Sequence, residues 1–517
     1  MSLLGSSMLL ARAQRGATVS TKRLSNPRTT AVAAAVAGQV GFRAHSYAGF
    51  NAGDEITGQK PESKLWFHDG SWWATLLSPA EGGAHTIHQL QGETWVNTGV
   101  VTDTRPTARE DVLSTGSTLY VVSRAQGGGQ NMLRRFSYSS GAYQLDAGFP
   151  VNVPGSGAET ITIARDTTGT LWLTYEANTN IFVASSRGSD TSWGTPFVVP
   201  VAGATGVKGD DISTVIAFSD ASGPATGVFW SNQNVQKDFF AVHRDGTSEQ
   251  TWTVETALSG TNEADDHINL KTADDRVFAA VKTSKTDSGS PLIRLLERSS
   301  TGTWSKHPVA LVSEANTRPI TMVEINETSN QIYVFFSIGG AVSPNGIGYK
   351  VSSLSNIGFS GAATTFIQGA NGEEINNATS MKDNASAASG IVVVASDPSN
   401  YWWNRLGGTS TPPPADEAPV AQDGTATTPS GTPVDIGLDA TDADTCELTF
   451  SIVSQPTQGT LGSITDSTCT PGSPQRRLGH RDVHAQLGRD GDRLVHVQGE
   501  RRHGGFQHSH DLDHDRR

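Results

Sequence analysis

Seven copies of one motif, spaced 47 to 59 residues apart, predict an all-β chain built around a seven-bladed β-propeller. Two further observations agree. Charged residues make up only 17% of the 517 residues while glycine numbers 55, the profile of short strands and frequent turns rather than of helices. Each repeat also carries about four short alternating segments. A four-stranded unit cannot bury both faces alone, whereas seven in a ring cover one another.

The chain opens on residues 1–45, which hold six Lys/Arg and no acid. The stretch AVAAAVA at 31–37 is short and ends in small residues, so residues 1–37 read as a basic leader, disordered or a degenerate export signal. Overall, 38 basic against 51 acidic residues give a net charge of −13, which disfavours a nucleic-acid partner. No run of 18 apolar residues exists, so no transmembrane helix is expected.

The repeat itself is a polar turn followed by an apolar-aromatic strand. It reads HDGSWWATL at Trp73, STGSTLYVV at Tyr120, TTGTLWLTY at Trp172 and ATGVFWS at Phe229. It continues as DDRVFAAV at Phe278, TSNQIYVFF at Tyr333 and ASGIVVVA at Val392. A second aromatic follows the first six by 21 to 26 residues: Trp95, Tyr143, Trp193, Trp252, Trp304 and Phe359. These aromatics have the size and place to fill the space between blades. The propeller is assigned to residues 38–406. Its seventh unit stops after YWWNRL at Leu406, one strand short, and a strand from residues 38–50 is predicted to close the ring.

The repeats resemble sialidase-like bacterial propellers, whose aspartate box runs roughly S-x-D-x-G-x-T-W. SSRGSDTSW near Trp193 and ERSSTGTW near Trp304 are degenerate echoes of it. The resemblance spans residues 46–406 and implies a fold, not an activity.

Aligning the units brings SKLWF, REDVL, ETITI, DISTV, HINLK, RPITM and NATSM into register as the innermost strands. Their first residues are Ser63, Arg109, Glu159, Asp211, His267, Arg318 and Asn377, preceded in three units by Asp210, Asp266 and Asn376. Five ionisable first residues exceed what a channel lining needs, and propellers bind ligands at a channel mouth. Arg109, Glu159, Asp211, Asp266, His267, Arg318 and Asn377 are therefore the candidate ligand-binding set. Carboxylates with arginine suit a sugar. Glu159 and Asp211 would serve glycoside hydrolysis if held about 5–10 Å apart. His267 as base, with Arg109 and Arg318 neutralising a uronate, would serve β-elimination. A ring of mutual ion pairs is the structural alternative.

Residues 407–419, GGTSTPPPADEAP, form a Pro/Gly/Thr linker. Residues 420–474 follow with the strand patterns PVDIGLDAT and ELTFSIVS. With the DATDAD turn and the QGTLG hairpin, they resemble the tandem Ig-like, cadherin-like repeats of bacterial secreted and surface proteins. That likeness implies an incomplete β-sandwich used as a spacer or adhesion module. Asp439, Asp442 and Asp444 would crowd one turn, a pattern that suits Ca²⁺. Cys446 and Cys469, the only cysteines, would form a disulfide in an exported protein.

Residues 475–517 hold seven of the 14 histidines and no Thr, Lys, Tyr, Ile or Asn. Shifting ordinary codons for residues 491–511 by one base yields a string like the missing last strands of the same repeat. The tail thus reads as out of frame and is expected to lack a fold. The functional expectation is an exported or cell-surface protein, a monomer, that recognises a glycan or surface ligand at the channel mouth. The alternatives are a polysaccharide hydrolase or lyase using Glu159, Asp211 or His267, and a purely structural surface protein.

Overall fold

A computed structural model describes residues 38–408 apart from 51, 53–55, 58–59, 316–320 and 340–344, and beyond them the backbone of short strands between 420 and 501. The seven antiparallel sheets are the blades of a propeller. Blade I spans residues 65–103, II 108–153, III 162–198, IV 213–259, V 268–311 and VI 321–368. Blade VII takes three strands from residues 376–406 and its fourth, outermost strand from Phe42–Ser46. The ring therefore closes as the sequence predicts. Phe42 pairs with Trp403, Arg43 with Trp402 and Ser46 with Asn400. Val40 adds a two-way backbone bridge to Gln368 of blade VI. Among the described residues, no helix is long and apolar enough to cross a membrane.

The motif aromatics are core, packed between neighbouring blades. Trp73 lies with Trp66, Ile87, Val121, Phe136 and Tyr143 between blades I and II. Trp172 meets Trp230 and Phe239 between III and IV, and Phe229 meets Val277 and Leu296 between IV and V. The second aromatic of each repeat sits at or beside the outermost strand, as Trp95 in Thr94–Asp103 and Trp304 in Trp304–Leu311 do.

Two turns carry an aspartate that organises a tryptophan. Asp166 Oδ1 accepts the backbone N–H groups of Thr168 and Thr170, both at 2.9 Å, and its Oδ2 accepts Trp172 Nε1 at 2.9 Å. Gly169 between them has φ +89°, open to glycine at little cost. Asp397 repeats the device on Ser399, Asn400 and Trp402 Nε1 at 2.6 to 2.7 Å. The two segments singled out in the sequence do not work this way. Trp304 Nε1 donates to Glu255 at 2.7 Å, and Trp193 Nε1 has no partner among the described residues. The device depends on an Asp five or six residues before the Trp, which DTTGTLW and DPSNYW supply. Replacing Asp397 with Ala orphans the buried Trp402 N–H and two backbone donors. It should cost about 2–3 kcal/mol, measured by chemical denaturation.

Side chains bridge the channel from blade to blade. Asp111, on the innermost strand of blade II, accepts the N–H of Ser63 and of Ile163, both at 2.8 Å. Lys382 reaches across from blade VII to Asp111 and to the Ile163 carbonyl at 2.5 and 2.6 Å. Lys271 of blade V donates to the carbonyls of residues 381, 382 and 383 at 2.5 to 2.9 Å. Innermost strands of adjacent blades diverge too far for a full ladder. Polar side chains such as Asp111, Thr162 and Asn269 take up the unpaired N–H groups instead.

Beyond the propeller, the strand Pro433–Asp442 runs on through Asp439, where a turn was expected, because its alternation continues past Leu438. It pairs along its length with Arg477–Gln486, which also pairs with Thr460–Thr465. Within the tail expected to lack a fold, Arg477–Gln486 thus has a partner on each edge. The side chains of Asp439 and Asp442, and residues Asp444, Cys446 and Cys469, lie outside the described residues.

Candidate functional site

The leading ends of the innermost strands converge on one mouth of the channel, and Lys60 reaches across it. Its Nζ donates to Glu159 Oε1 of blade III at 2.9 Å and also to Asp266 of blade V. Those two acids hold equivalent places. Glu159 lies three residues before Thr162 and Asp266 three before Asn269, and both Thr162 and Asn269 pair two residues past their blade's landmark aromatic. Burial opposes the Lys60 charge, but Asp266 and Glu159 outweigh it and raise the ammonium above its usual range. Asp266 also binds His267 Nδ1 at 2.7 Å, and Asp265 binds the same nitrogen at 3.1 Å. Lys282 neutralises Asp265 from the other side at 2.6 Å. Burial is overcome here too: the His267 and Lys60 charges hold the Asp266 carboxyl well below the carboxylate range.

Asp265, Asp266 and His267 form the one group among the described residues whose ligand atoms cluster closely enough for a metal ion. Lys60 and Lys282 already sit on its two carboxylates, so the donor set is that of an ion-pair network, not of a metal centre.

Three further candidates turn to the protein's own polar groups. Arg109 is fully buried and turned to backbone carbonyls, at 3.0 Å from Ala52 and 3.2 Å from Ala108. Asp211 accepts Ser231 Oγ at 2.7 Å, Lys208 N–H at 2.7 Å and Gln233 Nε2 at 3.0 Å. Asn377 has φ +58° and offers its carbonyl to Thr57 Oγ1 at 2.6 Å. Each is drawn inward because a strand end leaves polar groups that need partners. Arg318 lies outside the described residues. Of the predicted ligand-binding set, Glu159 lines a cleft.

That cleft, of about 260 Å³, lies between blades II, III and IV. Its walls are Arg124, Gln126, Gly127, Gly128, Glu159 and Glu176, with Gly157 and Gly209 at its edges. Glu176 is next to last in the second strand of blade III, Leu171–Ala177, and accepts the Thr179 N–H at 2.7 Å. Burial first, then the charges of Glu159, Asp211 and Asp210, pushes its carboxyl up to about 7. Burial likewise raises Glu159 against the pull of Lys60. Arg124 is buried and ion-paired to Glu62 at 3.7 Å. The site thus joins one carboxyl that is half protonated near neutrality, a second carboxyl, a guanidinium and open backbone at a glycine turn. Lys60, Arg124 and Glu176 were missed in the sequence. The visible signals were the charges ending VVSRA and LTYEA and the glycine run at 127–129.

No protein family and no curated protein matches the chain. Solved structures resemble it in part. AofleA from Arthrobotrys oligospora is 15% identical, with a TM-score of 0.37 over 58% of this chain and 87% of its own. The exo-β-1,3-galactanase of Phanerochaete chrysosporium is 10% identical, with a TM-score of 0.31 over 75% of this chain and 95% of its own. A subtype N10 neuraminidase-like protein of A/little yellow-shouldered bat/Guatemala/060/2010 is 9% identical, with a TM-score of 0.34 over 58% of this chain and 95% of its own.

Proposed function

We propose that this chain is an exported recognition protein that binds a glycan through the cleft of Arg124, Glu159 and Glu176. One observation carries the reading: two carboxyl groups and a guanidinium meet in one cleft that also offers backbone groups at Gly127 and Gly128. Carboxylates accept pairs of hydrogen bonds from neighbouring hydroxyls, and a buried arginine donates in a fixed plane. At about 260 Å³ the cleft falls just below the range of about 300–1,000 Å³ for drug-sized ligands, which suits one or two sugar units at a chain end.

A glycan array followed by calorimetry on the best hit tests this. The Glu159→Gln/Glu176→Gln double variant is expected to bind at least tenfold more weakly with its melting temperature preserved. Equal binding by the variant, or no glycan bound by the parent, would overturn the reading.

A second reading, hydrolysis, is favoured by the Glu176 carboxyl, which keeps a proton near neutrality beside a second carboxyl group. It replaces the Glu159–Asp211 pair, since Asp211 is committed to its own turn. It predicts reducing-end release whose alkaline limb falls near pH 7 and disappears in Glu176→Gln. The elimination set of His267, Arg109 and Arg318 finds no such support, because Arg109 faces backbone carbonyls.

A further inference from the structure

The cleft has a charge of its own. Glu176 is buried in its wall, and Oε1 is held by the Thr179 N–H at 2.7 Å. Among the described residues, no hydrogen bond reaches its Oε2. Four glycines frame the cleft at 127, 128, 157 and 209, and no atom lies within 4 Å of where a Cβ would stand on any of them. At these four positions the rim carries no side chain to cover the carboxyls behind it.

The charges that act on Glu176 are those of Glu159, Asp211 and Asp210. The cations nearby have other partners. Arg124 is ion-paired to Glu62 at 3.7 Å, Lys60 is divided between Glu159 and Asp266, and Lys208 donates to Gln233 Oε1 at 2.9 Å. Glu176 thus stands in a negative field with no ammonium or guanidinium of the chain bonded to it. In such a field a carboxyl holds a proton, or exchanges it for a cation where one can reach it. Glu176 opens onto a cleft, so exchange is possible. The same mouth shows which cation its acids accept, since the Lys60 ammonium bonds Glu159 at 2.9 Å.

We propose that the cleft selects a sugar with a free amine, whose ammonium sits on the Glu176 carboxylate while Arg124 and Glu159 take hydroxyls. This rests on the glycan reading and narrows it to amino sugars. An N-acetylated sugar lacks the charge, and a uronate would bring a carboxylate toward Glu159, Glu176 and Asp210. The ammonium displaces the proton that Glu176 holds near neutrality. Affinity therefore rises as the pH climbs from about 5.5 to 7. Binding at pH 7 releases up to about half a proton.

The experiment is calorimetry on the full chain with an oligomer of glucosamine, its N-acetylated form, the matching glucose oligomer and a glucuronate oligomer. The glucosamine oligomer is expected to bind at least tenfold more tightly than the other three. That ratio should fall to near one in Glu176→Gln and recover in part in Glu176→Asp. Titrations of the parent in two buffers of different ionisation enthalpy read the proton release without any variant. Tighter binding of a glycan that lacks an amine would overturn the amine preference and leave the glycan reading standing. No glycan bound at all would overturn both. A preference that survives in Glu176→Gln, no proton released, or cadaverine bound as tightly as the oligomer would each overturn the amino-sugar site.

Discussion

Removing residues 1–46 is expected to lower the melting temperature by roughly 5–10 °C, because it takes the outermost strand from blade VII. Phe42 stacks on Trp403 with ring centroids 4.7 Å apart, and His45 Nε2 reaches the Leu77 carbonyl of blade I at 2.7 Å. Without this strand, Asn400–Leu406 becomes an exposed edge and Trp403, now fully buried, meets solvent. Burying large side chains contributes about 1.5–3 kcal/mol each, so several kcal/mol are at stake along with the ladder. Removing only residues 1–37 retains every one of these contacts and is the control. Calorimetry on the two truncations decides the matter: equal melting temperatures would mean that the ring does not rely on Phe42–Ser46.

His88→Gln is expected to make the protein more resistant to acid, by about 2–3 kcal/mol between pH 7 and pH 4.5 relative to the parent. His88 is buried beneath the closing strand, stacked on His45 at 5.1 Å, and burial, helped by the nearby His45 charge, lowers its pKa to about 3. The groups around it are His45, His85 and the Thr86 carbonyl, with Tyr401 against His45. His85 is lowered to about 4, burial outweighing Glu110 and Asp103 while Lys64 adds to the lowering. Each imidazole binds its proton more weakly folded than unfolded. Stability is therefore full above the ordinary histidine pKa of about 6.5 and is lost as the pH falls toward the folded values. Buried Glu176 and Glu324, both raised to about 7, act in the opposite sense, since acid relieves the cost of their charge. Their contribution cancels when parent and variant are compared at each pH. Urea titrations at pH 7 and 4.5 measure the difference, and an unchanged difference would remove His88 from the account.

The blades were legible because they are local. The distance from Trp73 to Tyr120, or from Trp172 to Phe229, reports a unit that the chain completes before starting the next. Even the closing strand could be read, since YWWNRL left a blade with three strands where its neighbours have four. The polar ring was legible only as a ring. Segments such as REDVL and HINLK were placed in the right strands, but the roles of their side chains were not. Arg109 and Glu159 look alike in the alignment. One turns to the Ala52 carbonyl in the interior, and the other lines a cleft. Glu176 was passed over because a charge at the end of an otherwise apolar strand is ordinary at a blade edge.

By itself, then, the sequence determined an all-β architecture, the number of blades and the way the ring is closed. All three follow from periodicity and from apolar faces that need cover, and both are properties of short segments. The tertiary structure alone decided which ionisable groups meet. Lys60 binds partners 99 and 206 residues away, and Lys382 binds one 271 residues away. Whether a carboxylate on an innermost strand becomes a ligand group or a strut depends on such contacts across the ring, because burial and the nearest opposite charge set its protonation and its partners. No local pattern of residues carries that information.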